Sequence, residues 1–260
     1  MIILIAESKT MKTSEQPVAA DAYTAHRPLY VDVAERIMWG LSGLSLDELA
    51  AETKLPLSLA AKMQKYIYDF DCKLTGNLAI NAFTGVVFKA LDYNSLTGEA
   101  STRCNSQVRI VSSLYGWLRP DDIVKTYRLD FTARPETEPV DGRSINRFWR
   151  MDVTKALVRE LQEQGSTEIL NLLPGDASDC IDWKLVKRFA KVWKVDFREP
   201  VGDEGYKTPP AGRLKTLRGK LLRQILTEGI TTATALQRIS SSDYFCEGTP
   251  VYPDHLSFLC

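Results

Sequence analysis

The chain opens on Ile2-Ile3-Leu4-Ile5, an unbroken and mostly β-branched apolar run, which predicts a strand buried on both faces. The polar loop Glu7-Ser8-Lys9-Thr10 follows directly. Side chains just beyond a buried strand are held rigidly enough to serve a function. Apolar positions at helical spacing predict a helix from Val31 to about Leu41. A second helix opens at Ser45-Leu-Asp-Glu48, a capping box in which the serine caps the first turn and the glutamate reaches back. Pro56 interrupts the pattern, and a third helix begins near Ser58 and runs through Ala60, Ala61, Met63 and Ile67 to Phe70. The short connection Lys54-Leu55-Pro56-Leu57 makes residues 45–70 a helix-hairpin-helix-like segment.

Further along, the glycine-broken apolar stretch Ala82 to Leu91 predicts a strand region and Gln107 to Leu118 a helix, closed by the turn Arg119-Pro120-Asp121-Asp122. Met151 to Gln164 is an amphipathic helix that Gly165 terminates. A strand follows at Ile169 to Leu173, a helix from Asp182 to about Lys191 and a strand from Val192 to Phe197. Leu217, Leu221, Leu222 and Ile225 share one side of a helix over Leu217 to Leu226, and Thr231 to Ile239 forms a last short one. The stretch Glu199 to Arg213, with Gly202, Gly205, Pro209, Pro210 and Gly212, reads as a loop and a mobile flap. Helices and strands alternate irregularly, so the expectation is an α+β single domain over residues 1–260.

Composition changes this picture in three places. The formal net charge is zero, yet residues 184–223 hold 12 Lys/Arg against 4 Asp/Glu, a local excess of +8 balanced by −8 elsewhere. Such asymmetry suits a basic face aimed at phosphates or, equally, a solvated helical face. The five cysteines, Cys72, Cys104, Cys180, Cys246 and Cys260, are odd in number and form no CxxC pair. That favours reduced thiols in a cytoplasmic protein over disulfides or zinc. The opening apolar run is six residues long, too short for a signal peptide or a membrane span.

Familiar catalytic signatures are missing: there is no GxGxxG, Walker loop, GxSxG or HExxH. Two histidines exclude a histidine-rich metal site, and no metal ligand set is expected. His26, beside Arg27 and Pro28, reads as a surface or capping residue, and His255 as inert. Two segments do carry anion chemistry. One runs from Arg109 through Arg119-Pro-Asp-Asp to Thr126-Tyr127-Arg128-Leu-Asp130, and the other is Lys215-Thr-Leu-Arg218-Gly-Lys-Leu-Leu-Arg223. The planar guanidinium fork suits phosphate and carboxylate, although Arg119 and Arg128 each have an acid close by in sequence. Gly219, inside a helical pattern, permits a close approach of ligand or backbone.

These segments resemble the YaaA family of bacterial proteins. Its members open with a strand and a Ser-Pro-(Ala/Ser)-Lys-Thr-like motif, matched here by Ala6-Glu7-Ser8-Lys9-Thr10. The family's Arg-x-Leu-Ser-Gly-Leu-Tyr-Gly-x-Leu-Arg-Pro-x-Asp and Pro-Tyr-Arg-Leu-Glu-Met are similar to the blocks at 109–122 and 126–131. Its Phe-Trp looks like Phe148-Trp149, its Lys-x-x-Arg-Gly-x-x-x-Arg like Lys215, Arg218, Gly219 and Arg223, and its Gly-Tyr-x-Phe like Asp243-Tyr244-Phe245. The chain departs from the pattern where the opening proline is missing, where glycine becomes Ser113, and where Asn171-Leu-Leu-Pro-Gly-Asp176 loses a Glu-Tyr pair. These are the marks of a diverged paralogue.

The resemblance implies a β-rich interior wrapped by helices, a part in the peroxide stress response, and DNA binding through a basic cleft and a helix-hairpin-helix. Lys54, Lys62 and Lys65 would then touch phosphates of non-specifically bound DNA. The alternative is an enzyme acting on a nucleobase or nucleotide by ATP-dependent sulfur or amine transfer. Ser8, Lys9, Thr10, Arg119, Arg128, Lys215, Arg218 and Arg223 would bind the anion. Lys9, Tyr127 and Asp130 would act in catalysis, Cys104 and Cys180 would be candidate sulfur carriers, and ATP or another nucleotide would be the cofactor.

Overall fold

The computed structural model describes residues 1–13, 26–70, 75–202, 205–247 and 254–260. Its strands are β1 (Ile2–Ala6), β2 (Asn77–Leu78), β3 (Val108–Ser112), β4 (Gly116–Leu118), β5 (Ile123–Val124), β6 (Glu168–Asn171), β7 (Lys191–Pro200), β8 (Tyr206–Lys207), β9 (Phe245–Cys246) and β10 (His255–Leu259). Its α-helices are α1 (Val31–Ser42), α2 (Leu46–Thr53), α3 (Leu57–Tyr68), α4 (Ala79–Ala82), α5 (Val86–Leu91), α6 (Gly98–Gln107), α7 (Ile145–Gln164), α8 (Gly175–Ser178), α9 (Trp183–Val186), α10 (Ala211–Glu228) and α11 (Ala233–Leu236).

One large sheet runs in the order β4-β3-β1-β6-β7-β10-β9, with β8 paired to β7, and β2 and β5 form a separate two-stranded ribbon. The five inner strands are parallel and the outer pairings antiparallel. Ile2 to Ile5 and all of β3 are buried, so both faces of the sheet are covered there. This is why β1 reads as a continuous apolar run. Ile3 sits beside Val108, Ile5 beside Ile110, and Ile2 beside Ile169. The buried apolar residues form one contiguous cluster around this sheet, consistent with a β-rich interior wrapped by helices.

Among the parallel strands the chain order across the sheet is second, first, third, fourth, fifth. The chain therefore builds outward from β1 in both directions. In sheets of this kind, the crevice outside the carboxyl ends of the strands where the order reverses is the preferred ligand position. Here that point lies between β1 and β6.

Several elements match the sequence reading. The Ser45 capping box is formed, with Ser45 Oγ accepting from Glu48 N and the Glu48 carboxylate accepting from Ser45 N at 2.8 Å. Gly165 ends α7 in the left-handed conformation. The helices α2 and α3 are joined by Lys54, Leu55 and Pro56, with Lys54 itself left-handed at φ 57°.

Others differ. Within residues 82–91, Phe83 is extended and bridges to Met11, but Val86–Leu91 is helical, because Gly85 starts α5 and its N–H donates to Ser8 Oγ at 3.0 Å. Gln107 ends α6, and residues 108–118 form β3, a turn and β4 rather than a helix. Ser112 Oγ caps the turn between them by accepting from Leu114 N and Tyr115 N, and Gly116 takes φ +68° against the Trp149 ring. Past Asp182 only Trp183–Val186 is α-helical, and β7 has begun by Lys191. The predicted flap is largely ordered: β7 continues to Pro200, pairs with β8, and α10 starts at Ala211. Residues 203 and 204 and Cys72 lie outside the described residues. His255, expected to be inert at a fraying end, sits in β10 and contacts Asp196 through Nδ1.

Candidate functional site

A cavity of about 350 Å³ opens where the topology places it, at the carboxyl ends of β1 and β6. Ile5, Ala6, Glu7, Ser8, Lys9 and Thr10 form one wall, and Leu172, Pro174 and Asp176 another. The start of α5 contributes Gly85 to Phe88, the loop after β5 gives Asp130 and Phe131, and α10 gives Lys215 and Arg218. The volume is at the lower end of the range for small-molecule sites, about 300–1,000 Å³. Aliphatic and aromatic side chains supply surface for a flat or apolar group, and three cations sit among them.

Each cation is held by a local reason. Ser8 anchors the loop that carries Lys9: its hydroxyl takes the Gly85 N–H, and a Cβ on Gly85 would lie 2.5 Å from Ser8 Cβ. Lys9 Nζ meets Asp130 Oδ1 at 2.8 Å, and Arg128 reaches the other oxygen of Asp130 at 3.3 Å. Arg128 Nη1 also points at Lys9 O, at 3.4 Å. Lys215 and Arg218 lie one helical turn apart on α10, so both face the same way. Gly219 lets that helix press on α5, since a Cβ there would be 2.4 Å from Val87 O. The close approach inferred for Gly219 is to backbone.

Arg218 differs from Arg198, Arg213 and Arg223 of the basic stretch. Lys187, Arg198, Arg213, Lys220 and Arg223 are each paired with a carboxylate, namely Asp254, Glu247, Glu199, Asp243 and Asp92. Arg218 has no carboxylate within 4.0 Å among the described residues, and its buried Nε has no hydrogen-bond partner. Burial lowers its affinity for its proton, and Asp196 opposes this from a distance. A guanidinium so placed has the chemistry to take an anionic group as its counter-charge.

Glu7, the first residue after β1, was not singled out from sequence. Its N–H extends the β1–β3 ladder to Val111 O at 2.9 Å. The carboxyl receives Ser113 N at 2.9 Å, lies 2.6 Å from Ser113 Oγ, and contacts the Tyr127 hydroxyl. Burial pushes it up to about 7, against the pull of the Ser113 and Tyr127 hydrogen bonds. Tyr127 is buried, its hydroxyl is 2.7 Å from Ser112 Oγ, and burial beside Glu7 drives its ionisation well above the usual range. One sequence signal pointed here: a carboxylate directly after a wholly apolar strand. Its partners lie more than a hundred residues away.

The expected pocket of Lys9, Arg119, Arg128, Lys215 and Arg218 divides. Arg119 lines a separate hollow with Arg27, Trp117 and Arg159, held there because its N–H donates to Asp122 Oδ2 at 2.8 Å. Arg223 donates to Leu91 O at 2.8 Å and Asp92 O at 2.9 Å, capping the end of α5 away from the cavity. Cys104 and Cys180 are fully buried and absent from the cavity wall; burial pushes the Cys104 thiol up to about 12 and raises that of Cys180 as well. Lys54, Lys62 and Lys65 are exposed on the α2–α3 hairpin, and none of them lines the cavity. Among the described residues no cluster of three potential metal ligands occurs, and no helix is long and apolar enough to cross a membrane.

A family model described as peroxide stress protein YaaA matches residues 1–249. The chain belongs to the YaaA family. A curated relative from Parabacteroides distasonis, called UPF0246 protein, is 30% identical over 239 residues, 91% of each chain. Another from Francisella philomiragia is 27% identical over 248 residues, 94% of each, and one from a Shewanella species is 27% identical over 268 residues, covering all of this chain and 98% of its own. Two of the places where this YaaA protein departs from the family pattern, Glu7 and Ser113, touch each other at the cavity wall.

Proposed function

We propose that this YaaA protein serves the peroxide stress response in the cytoplasm by binding a nucleotide-type anion in the cavity at the ends of β1 and β6. The observation that carries the reading is Arg218: a partly buried guanidinium, without a carboxylate partner among the described residues, beside Lys215 on the cavity wall. Lys9 adds a third cation, shared with Asp130. A phosphate among these three would supply the charge that Arg218 lacks. The apolar wall of Val86, Val87, Phe88, Phe131 and Leu172 would take a ring.

Binding of duplex DNA through the α2–α3 hairpin has weaker support. Residues 45–70 hold Lys54, Lys62 and Lys65 but also Asp47, Glu48, Glu52 and Asp69, a net charge of −1. Non-specific DNA binding is driven by a local excess of positive charge. A thermal-shift screen of nucleotides and nucleobases, run beside a DNA gel shift, tests the choice. A nucleotide is expected to raise the melting temperature of the wild type and not of Arg218→Ala. A salt-sensitive DNA shift lost in Lys62→Glu and Lys65→Glu, with no nucleotide response, would overturn the reading.

A further inference from the structure

The hydrogen bonds around Glu7 close in one way with a proton on the carboxyl and in another way without it. Ser112 Oγ already accepts from Leu114 N and Tyr115 N, so its own proton goes to the Tyr127 oxygen or to the Glu7 carboxyl. Tyr127 in turn donates to Glu7 Oε2, which also receives Ser113 N–H at 2.9 Å. Ser113 Oγ faces the other carboxyl oxygen. It lies 2.6 Å from Glu7 Oε1 and 3.0 Å from Leu129 O, both of them acceptors, and it has one proton to give. With Glu7 ionised, Ser113 must turn from Leu129 O to Oε1. With a proton on Oε1, Glu7 donates to Ser113, Ser113 donates to Leu129, and every group is paired.

We propose that Glu7 is the proton-transfer residue of the cavity, holding a proton on the oxygen facing Ser113 while an anionic ligand is bound and releasing it when the ligand leaves. The inference rests on the anion-cavity reading above. The exchange needs one hydroxyl rotation: the Glu7 O–H bond breaks, the proton passes to solvent or to a basic atom of the ligand, and the Ser113 hydroxyl swings from Leu129 O to the carboxylate. Tyr127 and the Ser113 N–H stay in place through both states.

The charges that share the cavity with Glu7 set the direction. Lys9 comes from the loop after β1, Asp130 from the loop after β5, Asp176 from α8, and Lys215 and Arg218 from α10; all line the same cavity. The Cys180 thiol, at the end of α8, feels the charge of Glu7 and stays neutral. An anion that neutralises Lys215 and Arg218 removes the cations that would favour a Glu7 carboxylate. It also places a like charge beside Glu7. Binding therefore draws a proton onto Glu7. The cavity then presents a neutral acid next to its ligand, the placement a general acid needs.

Calorimetric titration with sulfate, which does not itself titrate in this range, tests the coupling in buffers of different ionisation enthalpy. At pH 8 the wild type is expected to take up a proton as sulfate binds, and at pH 5.5 none. Above neutrality its affinity falls as pH rises, by at most about tenfold per pH unit. Glu7→Gln, which keeps a donor toward Ser113 and carries no charge, is expected to bind sulfate with no proton uptake and a flat profile. Tyr127→Phe, which removes a donor to the carboxylate, should move the wild-type midpoint to higher pH. Sulfate binding without proton uptake, or uptake that persists in Glu7→Gln, overturns the proposal alone. No sulfate binding by any of the three proteins between pH 5.5 and 8.5 overturns the anion cavity itself.

Discussion

Gly219→Ala is the most informative single change for the architecture of the cavity. The substitution places a methyl group 2.4 Å from Val87 O and 2.7 Å from Ala90 Cβ, and the first of these is backbone. The two helices must separate, because a carbonyl of α5 cannot rotate away. Alanine gains about 1 kcal/mol over glycine in a helix interior. Overpacking a close contact costs about 1–3 kcal/mol or more, and the rigid neighbour puts this site at the upper end. The net expectation is a loss of about 1–2 kcal/mol, a fall in melting temperature of about 2–8 °C for a chain of this size. Gly212 in the first turn of the same helix has nothing within 4 Å of its would-be Cβ, so Gly212→Ala is expected to be stabilising by about 0.5–1 kcal/mol. Denaturant melts of the two variants provide the comparison. Because α5 and α10 carry facing walls of the cavity, Gly219→Ala should also weaken anion binding. A Gly219→Ala protein as stable as Gly212→Ala would refute the close packing from which these expectations follow.

Other perturbations probe separate parts of the molecule. Arg109 and Glu160 form a buried ion pair, and Arg109→Ala, which leaves Glu160 uncompensated, should cost about 3–5 kcal/mol in a chemical melt. Arg223→Ala removes the donors to Leu91 O and Asp92 O and should cost about 1–2 kcal/mol while leaving anion affinity nearly unchanged, whereas Lys215→Ala should do the reverse. Stability should also depend on pH through Glu7, whose folded-state value of about 7 lies above its ordinary 4.5. Between these values the folded chain holds the extra proton, so stability falls as pH rises through the window, at most about 1.4 kcal/mol per unit for this group, and levels off above it. Asp122, also pushed up to about 7 by burial, adds to the slope. Glu7→Gln should gain on the wild type between pH 5 and pH 8; a constant gap would contradict the assignment.

The parts of this fold that are legible in the sequence are those decided locally. The Ser45 box, the Gly165 cap and the Ile2–Ile5 run each specify their own geometry within a few residues. Residues 107–118 do not: Val108 to Leu118 are buried throughout, and an apolar run without period fits either a strand of a parallel sheet or a core helix. The stretch 82–91 turns on Gly85, which is hydrogen-bonded to Ser8, 77 residues away in the chain. The site divides in the same way. Lys9, Arg128, Lys215 and Arg218 stand out because their residue types suit anions; Lys9, Lys215 and Arg218 share one cavity with Asp130, and Arg128 reaches Asp130 without lining it. Arg119 and Arg223 have the same chemistry but are turned aside, by Asp122 and by the end of α5. Glu7 gains its character only from Ser113 and Tyr127, and no local pattern encodes that meeting.

The central claim is that the ends of β1 and β6 hold a phosphate-bearing ligand, and a crystal structure of the chain soaked with a nucleotide tests it most directly. The phosphate is expected between Lys9, Lys215 and Arg218, with the ring against Val86, Val87 and Phe131. A nucleotide seated on the α2–α3 hairpin, or in the hollow of Arg27, Arg119 and Arg159, with the cavity empty would contradict it.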